Sequence, residues 1–417
     1  MPLGFVIWLV LGVVVGLVWA IRLVVAGPIL RKRAILRSSS YDAAPNPAPR
    51  VSVLVAAKDE EDNIETCIST LLEQDYPDFE IIAIDDRSTD GTSEILRGMA
   101  QRAGEKLQVV TVTQLRAGWF GKNNAMRAGV SVASGKWLCF TDADCRQISS
   151  KTLTVAMRKV LEEEIDFLSI TPVLDFKFAW ERLTQPVCAL VLLFRFLPNH
   201  VNKPKNKTAY ANGAFMLINR RCYEAIGGHE RVRTEVNEDI VMARIAKETG
   251  VGLHVAENDD LYRTRMYRTM GEAWRGWSRI YYGSMATLPR LLMTAAAVAG
   301  FVLAPWVSMA VAWVGYRTAG EDMAETWSLM LGVWGLALCL MHMLLWRVYP
   351  VLKISRGWSL TYPLGATIVL GMLFNAMLKV VGATGTTWRG TKYRGRHVEV
   401  GRRDDKSPPT EKAAADG

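Results

Sequence analysis

The decisive stretches of the sequence are VSVLVAAKDEEDNI at residues 51–64 and EIIAIDDRSTDGT at residues 80–92. Each begins with a short apolar run, continues into acidic residues and ends in a helical pattern. Two further apolar runs follow along the chain. Short apolar strands that alternate with helices are typical of a parallel α/β sheet. The strands are predicted at 51–56, 80–84, 108–112 and 137–141.

Acidic residues follow three of these strands at the point where each strand ends. They are Asp59, Glu60 and Glu61 after the first strand, Asp85 and Asp86 after the second, and Asp142 and Asp144 after the fourth. Ligands of parallel sheets bind at this carboxyl edge. Three clusters of carboxylates would repel one another there, so we expect a hard cation, Mg²⁺ or Mn²⁺, held together with substrate phosphates. The alternative, that each aspartate only caps the following helix, is the weaker account for three sites on one edge.

The apolar residues are unevenly distributed along the chain. Half of the 417 residues are hydrophobic and 22% are charged. Four stretches, 3–26, 291–316, 327–346 and 358–381, are predominantly apolar. Each is long enough to cross a bilayer as a helix, which needs about 20 residues. Their only charged side chains are Arg22 and Lys379. A purely soluble protein is therefore excluded.

Basic residues predict how the chain is oriented in the membrane. Arg31, Lys32 and Arg33 follow the first stretch, so we expect an uncleaved anchor with the polar region 27–290 in the cytoplasm. A full crossing by the fourth stretch would place the basic tail outside, against the positive-inside tendency. Either this stretch is re-entrant or kinked near Pro363, or the tail is exported.

Several classes of protein are excluded by the motifs that the sequence lacks. The six cysteines are scattered without a C-x-x-C pair, which argues against a zinc ribbon or a disulfide framework. No G-x-G-x-x-G follows the first strand, and the segment around Lys122 lacks the spacing of a P-loop. The net charge of +9 arises beside the apolar stretches, so we expect no nucleic acid as a partner.

Seven blocks, in order, resemble family 2 glycosyltransferases with the GT-A fold. They are VSVLVAAKDEEDNI, EIIAIDDRSTDGT, GWFGKNNAMRAG, FTDADC, ANGAF, VNEDIVMARIAKETG and WRGWSRIYYG, over about residues 51–283. Within the family, the chain is most similar to membrane-anchored enzymes that glycosylate lipids, such as ceramide glucosyltransferases and hopanoid- or carotenoid-associated bacterial enzymes. The resemblance implies a GT-A domain with one N-terminal and about three C-terminal membrane helices. It also implies a bacterial inner membrane, with the catalytic domain in the cytoplasm.

The resemblance implies roles for individual residues. Donor-binding residues would be Ala56, Asp59, Asp86, Lys122, Asp142, Asn212 and Gly213, the metal would be held by Asp142 and Asp144, and Asp239 would be the general base. Trp274, Gly276, Trp277 and Arg279 would correspond to the motif close to the membrane. The implied donor is a nucleotide-diphosphate sugar, with UDP as the expected nucleotide. The acceptor would be a hydroxyl of a lipid or a polyprenyl-type molecule, glycosylated with inversion.

Two departures from the family pattern affect this interpretation. The first loop usually begins with Asn where this chain has Asp59, which leaves the role of that position open. The Q-x-x-R-W motif of processive polysaccharide synthases is absent, so a small polysaccharide synthase is the less favoured enzyme. A non-catalytic protein with a degenerate GT-A domain is the other alternative. It is disfavoured because Asp86, Asp142, Asp144 and Asp239 are all present.

The sequence divides into six segments on this interpretation. They are an anchor (1–27), a linker (28–50), a nucleotide-sugar-binding half (51–150), an acceptor half with interfacial segments (151–290), C-terminal membrane helices (291–382) and a basic, partly disordered tail (383–417). The segments 176–198 and 274–282 combine apolar, aromatic and basic residues, as at a bilayer surface. We expect them to bring a membrane-embedded hydroxyl to Asp239, although a buried core helix is the alternative for the first.

Overall fold

The structure is a computed structural model that describes residues 2–388, 391–394 and 397–398. The helices are α1 (Leu3–Arg31), α2 (Ile64–Leu72), α3 (Thr92–Ala103), α4 (Gly121–Val132), α5 (Thr152–Glu162), α6 (Ala179–Arg195), α7 (Pro198–Val201), α8 (Arg220–Ala225), α9 (Gly228–Arg231), α10 (Glu238–Glu248), α11 (Met270–Met285), α12 (Leu288–Ala297), α13 (Ala304–Thr318), α14 (Glu321–Val348) and α15 (Tyr362–Val380). The strands are β1 (Ile35–Leu36), β2 (Val51–Ala57), β3 (Phe79–Asp86), β4 (Leu107–Val112), β5 (Trp137–Asp142), β6 (Cys145–Gln147), β7 (Phe167–Thr171), β8 (Val173–Leu174), β9 (Phe215–Asn219), β10 (Leu253–Asn258), β11 (Tyr262–Thr264), β12 (Thr386–Trp388), β13 (Thr391–Arg394) and β14 (His397–Val398).

Eight strands form one sheet in the order β1-β10-β7-β9-β5-β2-β3-β4. The four predicted strands are present as β2 to β5 and pair in parallel. The expectation of a parallel sheet is wrong for β9, which runs antiparallel to both β5 and β7. Phe215 begins β9 opposite Thr141, close to where β5 ends, so β9 starts at the carboxyl edge and runs back. The turn that precedes β9 therefore lies at the same edge as the acidic residues.

Alternate side chains of the sheet enter separate hydrophobic clusters. Val53 and Ile81 belong to one cluster, together with α2 and α5. Leu54 and Ile82, their neighbours along the strands, belong to another cluster with α4 and α10. Because successive side chains of a strand point to opposite faces, the apolar runs cover both faces of the sheet. This two-sided burial explains why the strands are continuously apolar.

The segment predicted as a linker, 28–50, is folded. α1 continues to Arg31, and β1 pairs in parallel with β10 at the end of the large sheet. Tyr41 and Ala48 pack against the hydrophobic cluster beneath the sheet, and Arg33 forms a 2.7 Å ion pair with Glu257. Composition alone suggested a flexible connection, but these non-local contacts attach the anchor directly to the sheet.

Within the described residues, four helices are long and apolar enough to cross a membrane. They are Leu3–Arg31, Leu288–Thr318, Glu321–Leu352 and Arg356–Val380. The second is continuous because a π-helical turn, Val298–Leu303, joins α12 to α13. Pro363, near which a kink was one alternative, lies in the first turn of α15, where the missing backbone N–H is not needed. The predicted tail forms the short strands β12 to β14 in its described part, while 399–417 lie outside the described residues.

A third hydrophobic cluster joins α6 and α11 to the apolar helices. Val187 and Leu190 of α6, Trp277 and Tyr281 of α11, and Trp19 of α1 are all buried in it. α6 therefore packs against the membrane helices rather than against the sheet. The same holds for α11, and both segments that were predicted to lie at the membrane surface are attached to the membrane part of the molecule.

The contact between α15 and α6 depends on a glycine. A Cβ atom added at Gly365 would lie 2.4 Å from the backbone oxygen of Leu183. Real Cβ atoms essentially never lie so close to another residue's atom. Gly365→Ala should therefore push the two helices apart and lower the stability of the protein by about 1–3 kcal/mol, as overpacking typically does. Thermal unfolding in detergent measures this. Gly332→Ala on α14 is the matched control, because no atom lies within 4 Å of a Cβ added there. This variant should be neutral or stabilising. Equal melting temperatures for the two variants would contradict the packing argument.

Candidate active site

A cavity of about 720 Å³ opens at the carboxyl edge of the large sheet. It lies between this edge and the helices α6, α10 and α11. Seven of the residues predicted to form the site line it: Ala56, Lys122, Asp142, Asp144, Asn212, Gly213 and Asp239. The cavity thus brings together residues that are up to 183 positions apart in the sequence.

The sheet places the D-x-D aspartates beside the first strand. Asp142 is the last residue of β5, and its Cα partner on β2 is Ala56. Asp144 follows in the short connection to β6. Both aspartates therefore lie at the carboxyl edge of the sheet, because β5 ends there. The position of these acids directly after an apolar run predicted this location.

Lys122 joins two acidic groups from different halves of the domain. It lies in the first turn of α4, and its Nζ is 2.7 Å from Asp142 Oδ1 and 2.8 Å from Glu238 Oε1. Burial alone would lower the pKa of Lys122, but the charges of the two carboxylates outweigh this effect and hold the pKa well above its ordinary value. The lysine is therefore a permanent cation in the centre of the site.

The surroundings of Asp144 disfavour its negative charge. Burial, reinforced by the negative charges of Asp142 and Glu60, raises the pKa of Asp144 to about 7. Such a group of oxygen donors fits a hard divalent cation, which would favour the ionised form of Asp144. In the described part of the chain, no three His, Cys, Asp or Glu side chains are arranged to hold a metal ion. Mg²⁺ is commonly held by one or two carboxylates plus substrate phosphates, and Asp142 and Asp144 supply two.

Asp239 is positioned by a backbone contact with the turn before β9. Its Oδ2 accepts a 2.9 Å hydrogen bond from the N–H of Gly213, and its Oδ1 accepts one of 2.8 Å from Ile240. Burial, followed by the charge of the adjacent Glu238, raises the pKa of Asp239 to about 7. A carboxylate with this pKa is able to accept a proton near neutral pH.

Two residues that were expected to bind the donor, Asp59 and Asp86, do not line the cavity. Asp86 is buried, and both of its oxygens are bound by Arg87, at 2.8 Å from Nε and 2.7 Å from Nη2. Asp59 Oδ1 accepts hydrogen bonds from the backbone and the hydroxyl of Thr89. Asp59 therefore joins the loops after β2 and β3, whereas the ion pair of Asp86 stays within the end of β3 and its loop. Their contacts with a nucleotide stay predictions.

The other end of the cavity is apolar. Leu192, Leu193 and Phe196, at the end of α6, line it together with Ile280 of α11. These side chains also pack on, or adjoin, the cluster of membrane helices. The cavity therefore connects the acidic edge of the sheet with the surface of the membrane part.

One wall of the cavity comes from a loop that the sequence did not mark as functional. Val351, Leu352 and Lys353, between α14 and α15, line the cavity. Lys353 forms an ion pair with Asp259, which Arg37 also binds at 2.7 Å. Nothing in the sequence distinguished this loop from an ordinary basic connection. Its contribution arises from the fold alone.

Two further residues of the site were not predicted. Glu238 is buried and binds Lys122, and its place beside Asp239 in the sequence was the available hint. Tyr210 lines the cavity, and its hydroxyl oxygen accepts a 3.2 Å hydrogen bond from Asn212 Nδ2. Both residues surround the groups expected to do the chemistry, and neither has a sequence pattern of its own.

Comparison with protein families identifies the class of the domain. Residues 52–227 match the model of Glycosyl transferase family 2. The chain therefore carries a family 2 glycosyltransferase domain, as its motifs predicted, and the class of enzyme is confirmed.

Comparisons with individual proteins agree with this class. The chain is 23% identical over 274 residues to the 4,4'-diaponeurosporenoate glycosyltransferase of Staphylococcus haemolyticus, covering 64% of this chain and 71% of that protein. It is 22% identical over 245 residues to the protein of the same name from Staphylococcus aureus strain USA300, covering 58% and 64%. The chain thus spans about two thirds of the length of these relatives.

A solved structure is similar in fold over most of the chain. It is a mannosyltransferase from Pyrobaculum calidifontis in complex with GDP-Man and Mn²⁺, 19% identical, with a TM-score of 0.56 over 91% of this chain and 99% of that chain. This similarity confirms the fold, a GT-A domain of the α/β class with one apolar helix before it and three after it.

Gly213 offers a test of the central geometry. A Cβ atom at this position would lie 3.0 Å from Lys122 Nζ and 3.5 Å from Asp239 Oδ2. Gly213→Ala should displace the lysine from its two carboxylates and lower sugar transfer by about tenfold or more, since an error of about 1 Å in a catalytic site costs up to 10²-fold. Gly98→Ala on α3 is the control, because the atom closest to a Cβ added there is Nη1 of Arg102, at 3.9 Å. Unchanged transfer by the Gly213 variant would mean that the lysine is free to move.

Proposed function

We propose that the protein is a membrane-bound, inverting glycosyltransferase that moves a sugar from a nucleotide-diphosphate sugar to a hydroxyl of a membrane lipid. The cavity carries this proposal, because its acidic end contains the groups for sugar transfer and its apolar end adjoins the membrane helices. A water-soluble acceptor would not require the second feature. The carotenoid-glycosyltransferase relatives support the same class of acceptor.

The donor would bind at the acidic end, between Ala56, Lys122 and the D-x-D pair. Asp142 and Asp144 would hold Mg²⁺ or Mn²⁺, which would neutralise the negative charge on the leaving diphosphate. Lys122 adds a positive charge at the same place. The solved mannosyltransferase was obtained with GDP-Man and Mn²⁺, which supports a nucleotide sugar and a divalent metal; UDP is the nucleotide that we expect here.

Asp239 is the proposed general base. It lines the same cavity as the D-x-D pair, and its carboxylate is oriented by the Gly213 N–H. In a single displacement, the base takes the proton of the acceptor hydroxyl while the oxygen attacks the anomeric carbon. The bond to the diphosphate breaks on the opposite side. No covalent intermediate is involved, so the anomeric configuration is inverted.

The proposed location is the cytoplasmic side of a bacterial inner membrane. The basic residues Arg31, Lys32 and Arg33 follow the first apolar helix, and basic flanks favour the cytoplasmic side. Nucleotide sugars are made in the cytoplasm, where the acidic end of the cavity would then receive its donor.

An assay of the purified full-length protein tests the function. We expect label from one radiolabelled nucleotide sugar of a panel to move into the organic phase when extracted membrane lipids are present. Excess chelator should abolish the transfer, and Mn²⁺ or Mg²⁺ should restore it, because the leaving diphosphate needs a counter-charge. Label in a water-soluble polymer would favour the polysaccharide synthase. No transfer with any donor would favour a non-catalytic protein.

Replacing the base should separate catalysis from donor binding. Asp239→Asn should lower turnover by about 10²–10⁴-fold, the usual contribution of a general base, while nucleotide-sugar binding persists. The base works in its ionised form, so with a pKa of about 7 kcat/KM of the wild type should rise with pH by roughly tenfold between pH 6 and pH 8.

The control for this variant lies on the same helix. Glu248→Gln, at the exposed far end of α10, should leave both the turnover and the pH profile unchanged. If Asp239→Asn instead lost donor binding and kept its turnover at saturating donor, Asp239 would be a donor ligand.

A further inference from the structure

Tyr210 lies between the two ends of the cavity. It lines the cavity, and its ring stacks on Phe196, with ring centres 5.5 Å apart and an angle of 28° between the ring planes. Phe196 directly follows α6 and belongs to the apolar end of the cavity. On its other side, the Tyr210 hydroxyl is bonded to Asn212 at 3.2 Å. The tyrosine therefore joins the apolar wall to the turn that holds Asp239.

Hydrogen bonds fix this turn, which comprises residues 210–214. Asn212 Oδ1 accepts a 3.0 Å hydrogen bond from the N–H of Ala214, and the N–H of Gly213 donates one of 2.9 Å to Asp239. The Tyr210 hydroxyl and the Asp239 carboxylate are thus bonded to two successive residues of the chain. The distance between the two groups is set by one short turn.

The Tyr210 hydroxyl keeps a proton that it is able to donate. Since Asn212 Oδ1 accepts from a backbone N–H, its Nδ2 is the atom that faces the tyrosine, and the tyrosine oxygen is the acceptor of that bond. A tyrosine hydroxyl donates one hydrogen bond in addition to accepting. In the part of the chain that the structure describes, no group accepts this proton. Burial, followed by the negative charge of Asp239, raises the pKa of Tyr210 to about 12, so the proton stays on the oxygen at neutral pH.

We propose that the Tyr210 hydroxyl donates a hydrogen bond to the hydroxyl oxygen of the lipid acceptor and so orients this group toward Asp239, a role that rests on the proposed function. A lipid whose chain lies at the apolar end, and whose proton passes to Asp239, has its hydroxyl beside Tyr210. Phenylalanine would stack on Phe196 equally well. The packing of the ring therefore does not account for the hydroxyl, whereas a bond to the acceptor does.

The lone pairs of an alcohol oxygen suit this arrangement. One lone pair would accept the hydrogen bond from Tyr210, and the other attacks the anomeric carbon of the sugar. The proton passes to Asp239, and the diphosphate leaves with the electrons of the bond that breaks. Because Tyr210 and Asp239 are attached to one turn, the attacking lone pair is held in a single direction, as a near-attack geometry requires.

Steady-state kinetics of Tyr210→Phe test the role of the hydroxyl. The purified full-length protein is assayed in detergent micelles, and the concentrations of extracted membrane lipids and of the nucleotide sugar are varied in turn. The KM for the lipid should rise by about five- to tenfold, the contribution of one neutral hydrogen bond. The KM for the nucleotide sugar and kcat should stay within about twofold, since the bond to the acceptor already exists before the reaction.

A purely structural role of Tyr210 would change other quantities. Without the tyrosine oxygen, Asn212 keeps its bonds to Ser169 and Ala214, so the turn should remain in place. The pH dependence of kcat/KM should then keep its midpoint at about 7, the pKa of Asp239. A shifted midpoint or a strongly lowered kcat would mean that the variant displaces Asp239, and would overturn the role of Tyr210 in binding the acceptor.

Two further variants separate the hydroxyl from the ring. Tyr316→Phe changes an exposed tyrosine near the end of α13, away from the cavity lining, and should leave every kinetic constant unchanged. Phe196→Leu removes the ring stack but keeps the Tyr210 hydroxyl, so it should raise the KM for the lipid less than Tyr210→Phe does. An equal or larger rise would assign the effect to the ring and overturn the role of the hydroxyl.

The remaining outcomes separate the role of Tyr210 from the proposed function. Transfer to lipid by the wild type, with an unchanged KM for the lipid in Tyr210→Phe, would overturn only the role of Tyr210. A rise in the KM for the nucleotide sugar alone would assign the hydroxyl to the donor and equally overturn its assignment to the acceptor. No transfer to lipid by the wild type would overturn the proposed function, and the role of Tyr210 with it.

Discussion

The concentration of negative charge at one edge of the sheet is the constraint on which the site depends. Asp142 and Asp144 come from the end of β5, while Glu238 and Asp239 begin α10. Such carboxylates repel one another in a partly buried cavity unless positive charge lies between them. Lys122 supplies that charge and bridges the two pairs. The absence of a side chain at Gly213 leaves room for the lysine between the two pairs.

Most of the sheet, and the position of the acidic edge, could be predicted from local sequence patterns. β2 to β5 were recognised because each is a short apolar run followed by polar residues, which depends only on neighbours in the chain. The sequence predicted one role for all three acidic clusters, but the clusters differ in the structure. The helix-capping alternative does not describe Asp85 of the second acidic cluster, because the N-cap residue of α3 makes no side-chain hydrogen bond. Asp85 instead accepts hydrogen bonds from the Ser88 N–H in the preceding turn and from the Ser93 hydroxyl. The chemical interpretation suits the third cluster better.

The features that could not be predicted depend on contacts between distant parts of the chain. The direction of β9 follows from where its preceding turn lies, not from its composition. The segment 28–50 has the composition of a linker, yet it pairs with β10. The cavity wall at 351–353 includes Lys353, which binds Asp259, 94 residues away. Similarly, α6 and α11 are amphipathic helices in sequence, and the fold alone decides that they pack on the membrane helices.

The pairing of β1 with β10 has a consequence for how the protein meets its surroundings. α1 ends at Arg31 and β1 begins at Ile35, and a connection of this length reaches at most about 14 Å when fully extended. The ion pair between Arg33 and Glu257 further restricts how far the sheet is able to move from the end of α1. An enzyme on a long tether would meet hydroxyl groups at many heights above the bilayer, whereas this one is held at a fixed height. On the proposed function, the depth at which a membrane lipid carries its hydroxyl would therefore act as a first filter, before any side chain of the cavity distinguishes one acceptor from another.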